Sequence, residues 1–200
     1  MNARKRNEGG VGSAPPASSA SLEVENWPVS LYWGIKPDET SLDFPCDRLN
    51  ASFETAYYRA ITILSPPDII FRWLCQMRVA PYSYDWIDNF GRQSPQKLIP
   101  GLDKLEIGQD MMMIFEIEDF EPGRSVTIRL KRKLRFVADA VISYMIVPSE
   151  SGDCRLLVKI LMDYPRWIIG LLMRIFFPWG DLIMMRRQLM NFKKLAERNP

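Results

Sequence analysis

The spacing of apolar residues divides the chain into a strand, a helix, an aromatic loop, a run of alternating strands and a closing helix. Residues 56–64 have the β-branched and aromatic content of a strand. Ser65 follows as an expected N-cap, Pro66 and Pro67 suit a first helical turn, and Asp68 completes an S-x-x-D box. Ile69, Ile70, Trp73, Leu74 and Met77 then recur at helical spacing, which predicts an amphipathic helix with its apolar face in the core. From Leu105 the period changes to two. Residues 111–117, 125–130, 138–147 and 155–162 read as successive strands, separated by turn formers at Pro122-Gly123 and around Gly152. Short connections of this kind predict an antiparallel sheet, because parallel strands need crossover segments. The link over 131–137 contains neither Gly nor Pro and has the least defined boundary. At the end, Pro178 fits a first turn and Asp181 the positive end of a helix. Leu182, Met185, Leu189, Phe192 and Ala196 form a stripe, opposite Arg186, Arg187, Lys193, Lys194 and Arg198.

This order predicts an α+β fold, a curved antiparallel sheet wrapped around a long C-terminal helix with room for a pocket between them. Residues 1–26 are rich in Gly, Ser, Ala and Pro and read as a disordered tail. Residues 27–54 mix aromatic side chains with turn formers and read as an irregular segment wrapping onto the domain formed by 55–200.

Composition narrows the function. The 200 residues are 47% hydrophobic, enough for a sizeable core. A net charge of +2 argues against a nucleic-acid partner. With no histidine, neither a Ser-His-Asp nor a Cys-His nucleophile can be built, nor a His-ligated metal site. No cofactor or metal is expected. Cys46, Cys75 and Cys154 are scattered, as for reduced thiols in a cytoplasmic protein. The basic start of the chain has no apolar run behind it, so a secretory signal is not expected. Residues 167–185 are apolar but interrupted by Arg174, Pro178, Gly180 and Asp181. That argues against a membrane span and leaves open a weak contact with a membrane surface.

Several short elements, in order, resemble the SRPBCC superfamily, also known as the START or Bet v 1-like helix-grip fold, and in particular its polyketide cyclase/dehydrase-like members. They are Trp33-Gly34 with Glu39, Pro45 and Asp47; Arg59-Ala-Ile-Thr-Ile63; Pro66-Pro67; Trp73-Leu74 with Gln76-Met77; and Tyr82-Ser-Tyr-Asp85. Ile99-Pro100, Ile107-Gly108 with Asp110, and Arg155-Leu156 continue the series, which covers most of residues 33–198. The chain departs from the family at Arg78-Val-Ala-Pro81, where a Gly-rich step is usual. The resemblance implies a hydrophobic cavity between sheet and last helix. It does not imply one activity, since the superfamily includes carriers, receptors and enzymes.

The expected cavity residues follow from these elements. Tyr82, Tyr84 and Trp86 either gate the cavity or pack as a loop. Trp73, Met77, Met113, Phe115, Met162, Met185 and Leu189 supply an adaptable apolar lining, or simply fill the core. Ile142 and Tyr144 share a strand face, with the Tyr144 hydroxyl directed at a ligand. Arg132 and Asp85 are the candidate polar anchors; if the chain turns before Arg132, that side chain is solvated instead. The expected function is to hold a hydrophobic or amphipathic small molecule. The alternatives are acid–base catalysis through Asp, Tyr or Arg, which requires an ionisable group inside the cavity, and lipid handling at a membrane surface. No feature demands an oligomer.

Overall fold

Side chains along the central strands alternate between two buried faces, and this organises everything around them. The structure, a computed structural model, describes residues 27–49, 52–135 and 138–198; the tail expected over 1–26 lies outside them. Its strands are β1 (Tyr32–Trp33), β2 (Thr55–Ile63), β3 (Asp110–Met111), β4 (Phe115–Glu121), β5 (Ser125–Leu130), β6 (Asp139–Pro148) and β7 (Cys154–Asp163). Its helices are α1 (Pro67–Cys75), the single turn α2 (Asp85–Asp88) and α3 (Ile168–Arg198). The strands form one sheet in the order β1-β2-β7-β6-β5-β4-β3. Only β1 runs parallel to its neighbour. A register shift between Ile117 and Asp119 bends β4 against β5. The whole is an α+β helix-grip arrangement, as the hydrophobic pattern predicts.

On the inner face Ile142, Tyr144, Val158 and Ile160 meet α1 and α3. On the outer face Ala60, Val141 and Leu157 meet Ile35, Phe44 and Cys46 of the segment before β2. Full burial of each large apolar side chain contributes roughly 1.5–3 kcal/mol. The outer cover is also pinned by charge. Arg155 donates to both carboxylate oxygens of Glu39, at 2.6 and 2.8 Å. Lys159 donates to Asp47 at 2.5 Å. Buried Ser143, on the same face, accepts from the Cys46 backbone N–H at 3.1 Å.

Three expectations need correction, and the undefined link gains a boundary. Ser65 does not cap α1: Pro66 occupies the N-cap position, and the Ser65 hydroxyl is buried without a partner. Pro67 has no N–H to satisfy, so the first turn needs less capping than the motif implies. Residues 111–117 are not one strand. Met112 and Met113 adopt left-handed φ values of 46° and 65°, folding β4 back onto β3 in a turn without Gly, Asn or Pro. The 131–137 link contains a short 3-10 turn at Arg132–Leu134. Finally, α3 begins ten residues before Pro178, which lies inside the helix. Two contacts hold the early turns. Arg174 pairs with Glu54 at 2.6 Å, and a side chain on Gly170 would collide with the Pro165 carbonyl oxygen at 1.7 Å.

Gly34 closes the edge of the sheet. Its φ is 72°, and an added Cβ would lie 2.2 Å from the Ala60 carbonyl oxygen. Gly101 has a similar φ of 85° with open space around it. Urea denaturation is expected to show a loss of about 1–2 kcal/mol for Gly101→Ala, the left-handed penalty alone. Gly34→Ala should lose clearly more. Equal losses would mean that the close approach to Ala60 is unimportant.

Candidate functional site

Small side chains on facing elements leave a cavity of about 650 Å³ between the inner sheet and α3. Ala138, Ala140 and Gly180 all line it, and a Cβ on Gly180 would touch nothing within 4 Å. Larger apolar groups complete the walls: Phe115 from β4, Leu130 from β5, Ile142 from β6, Ile160 and Met162 from β7. Met173, Phe177, Met184 and Met185 descend from α3. The rim is made by Ile87 and Phe90 of the loop around α2 and by the turn at Met112, Met113 and Ile114. Flexible thioethers make such a lining adaptable.

Two polar side chains of α3 interrupt this lining, and both are tied to the protein. Gln188 accepts a hydrogen bond from the Tyr144 hydroxyl at 2.8 Å and donates to the Pro81 carbonyl at 2.6 Å. Asp181 accepts from Arg59 at 2.9 Å. The Arg59 side chain is fully buried and also donates to the carbonyls of Ser30, Leu31 and Tyr58. Burial pushes the Asp181 carboxyl up to about 6, against the opposing pull of Arg59. Burial likewise lowers the Arg59 guanidinium despite Asp181. Asp181 is thus an ionisable group in the cavity wall, but its carboxylate is engaged in holding α3 to β2.

The candidate residues read from the sequence divide into three groups. Met113, Phe115, Ile142, Met162 and Met185 line the cavity. Trp73, Met77, Tyr144 and Leu189 are buried in the core behind it. The Tyr144 hydroxyl is spent on Gln188, and full burial raises its pKa, so it does not face a ligand. The third group, Tyr82, Tyr84, Asp85 and Trp86, lines a separate, more polar recess of about 500 Å³ with Arg187, Asn191 and Lys194. Within it Tyr82 is packed between Trp73 and Phe192, with ring centroids at 6.0 and 5.4 Å. This packing offsets a left-handed φ of 60°, which costs an aromatic residue about 1–3 kcal/mol.

Neither proposed anchor stands in the cavity. Asp85 accepts from the backbone N–H and hydroxyl of Ser94, at 2.9 and 2.5 Å, and so folds its own loop. Arg132 is exposed on the 3-10 turn, because the chain leaves the sheet at Leu130 before strand parity can turn it inward. Sequence reasoning missed Gln188, read Asp181 only as a helix-start residue, counted Met173 among interior methionines without a place in the fold, and missed Phe177. Extending the α3 helical pattern N-terminal of Pro178 would have placed the last two.

No protein-family model and no curated protein sequence matches this chain. Among solved structures the chain is similar to a hypothetical protein from Helicobacter pylori, at 10% identity and a TM-score of 0.50. That likeness covers 78% of this chain and 96% of the other. Weaker likenesses include the di-domain ARO/CYC StfQ from the steffimycin biosynthetic pathway, with 10% identity, a TM-score of 0.43, and 72% and 50% of the two chains covered. Truncated norcoclaurine synthase from Thalictrum flavum gives 10% identity and a TM-score of 0.41 over 76% and 99%. At these identities the likeness concerns the fold alone.

The ion pair generates two expectations. Arg59→Ala strands a buried carboxylate and should cost about 3–5 kcal/mol, whereas the double change Arg59→Met with Asp181→Leu should cost much less. Chemical denaturation of both variants checks this, and a double variant as damaged as the single one would contradict it. The second concerns pH. A carboxyl whose folded pKa is raised contributes stability at low pH and loses it as pH rises through the folded value. The stability of the wild type minus that of Asp181→Asn should therefore fall by up to about 3 kcal/mol between pH 4 and 6, then level off. A difference that rises over this window would show the carboxyl to be lowered instead.

Proposed function

We propose that this protein holds a hydrophobic or amphipathic small molecule in the cavity between the sheet and α3. The observation that carries this reading is the cavity itself, about 650 Å³ and lined mainly by apolar side chains, within the usual range for small-molecule sites. For an amphipathic ligand the polar side of the rim is Ser83 and Asp88, which line the cavity and are hydrogen-bonded to each other. Binding is favoured over catalysis because the carboxylate nearest the interior, Asp181, is paired with Arg59.

The same reading makes the chain a member of the SRPBCC superfamily, supported by the order of its sequence elements and by the helix-grip arrangement. Residues 27–54 serve as the wrapping segment and 55–200 as the cavity-bearing domain. A cytoplasmic location is supported by three free, buried cysteines. Burial pushes the Cys46 and Cys75 thiols up to about 11 and about 12, which leaves them unreactive at neutral pH.

Native mass spectrometry of protein purified from its own host should show a bound small molecule. An apolar fluorescent probe should compete with it. Ala140→Phe, which fills the cavity from β6, is expected to weaken probe binding at least about tenfold while leaving a cooperative thermal transition. Empty protein that also ignores the probe would end this reading.

A further inference from the structure

The outward face of α3 changes character along its length. Ile168, Leu172, Ile175, Phe176, Trp179 and Ile183 recur at three- and four-residue steps, the spacing of a stripe meant for burial. All of them face solvent: Ile168 is 79% exposed, Phe176 68% and Trp179 58%. The stripe runs for about 24 Å along the helix. The opposite side of the same turns is already occupied, with Met173 and Phe177 lining the cavity. One turn beyond Ile183 the outward face becomes basic, with Arg186, Arg187 and Lys194 exposed. Arg186 and Arg187 lie over the rings of Trp33 and Tyr84. Among the described residues no carboxylate forms a salt bridge with any of the three.

The cavity rim carries exposed apolar side chains as well. Ile87, Phe90, Met113 and Ile114 are all exposed there, Phe90 at 79%. The adjoining 3-10 turn adds exposed Arg132 and Lys133, and the Ile114 carbonyl accepts from the Lys131 N–H at 2.9 Å. The cavity thus has this exposed apolar rim on one side and α3 on the other.

We propose that this face docks on an anionic lipid bilayer, with the first half of α3 lying in the interface and the cavity opening onto the acyl chains. The charge pattern selects the occupant. An apolar stripe passing into unpaired cations matches an interface whose interior is hydrocarbon and whose surface is negative. Trp167 and Trp179 are residues that favour that boundary. By length and composition α3 is the one described helix able to cross a membrane. However, Arg174–Glu54 and Arg59–Asp181 bind its inner side to the sheet, which places it along the surface rather than through it. The lipid-source role of the opening rests on the cavity reading above; the docking itself does not.

Flotation with vesicles separates the two. Full-length protein should float with phosphatidylcholine vesicles containing one third phosphatidylglycerol and much less with phosphatidylcholine alone. Leu172→Glu with Phe176→Glu should abolish flotation while probe binding in the cavity persists. Arg186→Ala with Arg187→Ala should weaken partitioning onto the anionic vesicles by roughly thirtyfold. Wild-type protein that binds the probe but floats with neither vesicle overturns docking and leaves the cavity reading intact. Loss of probe binding alone, with flotation retained, removes the cavity reading instead. A dimer by sedimentation equilibrium that Leu172→Glu dissociates, with no flotation, assigns the face to a second copy and also overturns docking.

Discussion

The Arg59–Asp181 ion pair sets the geometry on which the cavity and the outward face both depend. Arg59 lies on β2 beside the sheet edge and holds the Ser30 and Leu31 carbonyls as well as Asp181 of α3. A buried pair of this kind is weak evidence of net stability, because desolvating both charges costs nearly as much as their attraction returns. Its effect is on registry. Turning α3 by one residue would carry Asp181 about 100° around the helix and away from Arg59. With Asp181 held toward β2, helical geometry puts Gly180 and Met184 over the cavity and Trp179 and Ile183 on the outside. One charged contact therefore orients three faces of the same helix.

The sheet supports this because it is covered twice. Val141 and Leu157 point away from the cavity yet are fully buried, under Phe44 and Cys46. The outer cover lets the inner face carry Ala138 and Ala140 without loss of the whole core. Packing removed from one side of β6 is supplied on the other. The ionic ties of Arg155 and Lys159 to Glu39 and Asp47 then fix the cover to β7. The cavity is open space that the fold tolerates because its walls are braced from behind.

Much of this was legible in the sequence. Apolar runs bounded by turn formers announced β6 and β7, and the apolar spacing of α1 announced a helix, because both signals come from burial. The features that escaped have other causes. The turn at Met112 and Met113 lacks the residues that ordinarily signal left-handed backbone, so periodicity ran straight through it. Pro178 reads as a helix start, yet contacts of Gly170 and Arg174 on neighbouring turns extend the helix past it. Arg59 stood inside a recognisable strand, but its burial depends on carbonyls 28 and 29 residues away in sequence. Arg132 went the other way, since strand parity predicts a direction only while the strand lasts. Asp181 was seen as a helix-start residue, and only three-dimensional packing reveals it as the partner of Arg59.

The position of the cavity beside the exposed half of α3 has a kinetic consequence. A ligand that buries ten methylene groups forfeits roughly 8 kcal/mol on leaving for water. That corresponds to a partition ratio of about a million, so exchange through the aqueous phase would be slow. An opening bordered by Phe90, Met113 and Ile114 on one side and α3 on the other removes most of that cost if it meets hydrocarbon. The same exposure that looks wasteful on a freely diffusing protein then becomes the route by which a tightly held apolar molecule enters and leaves. On this view the outward stripe of α3 and the lining of the cavity are two parts of one apolar surface, divided by the helix that Asp181 anchors.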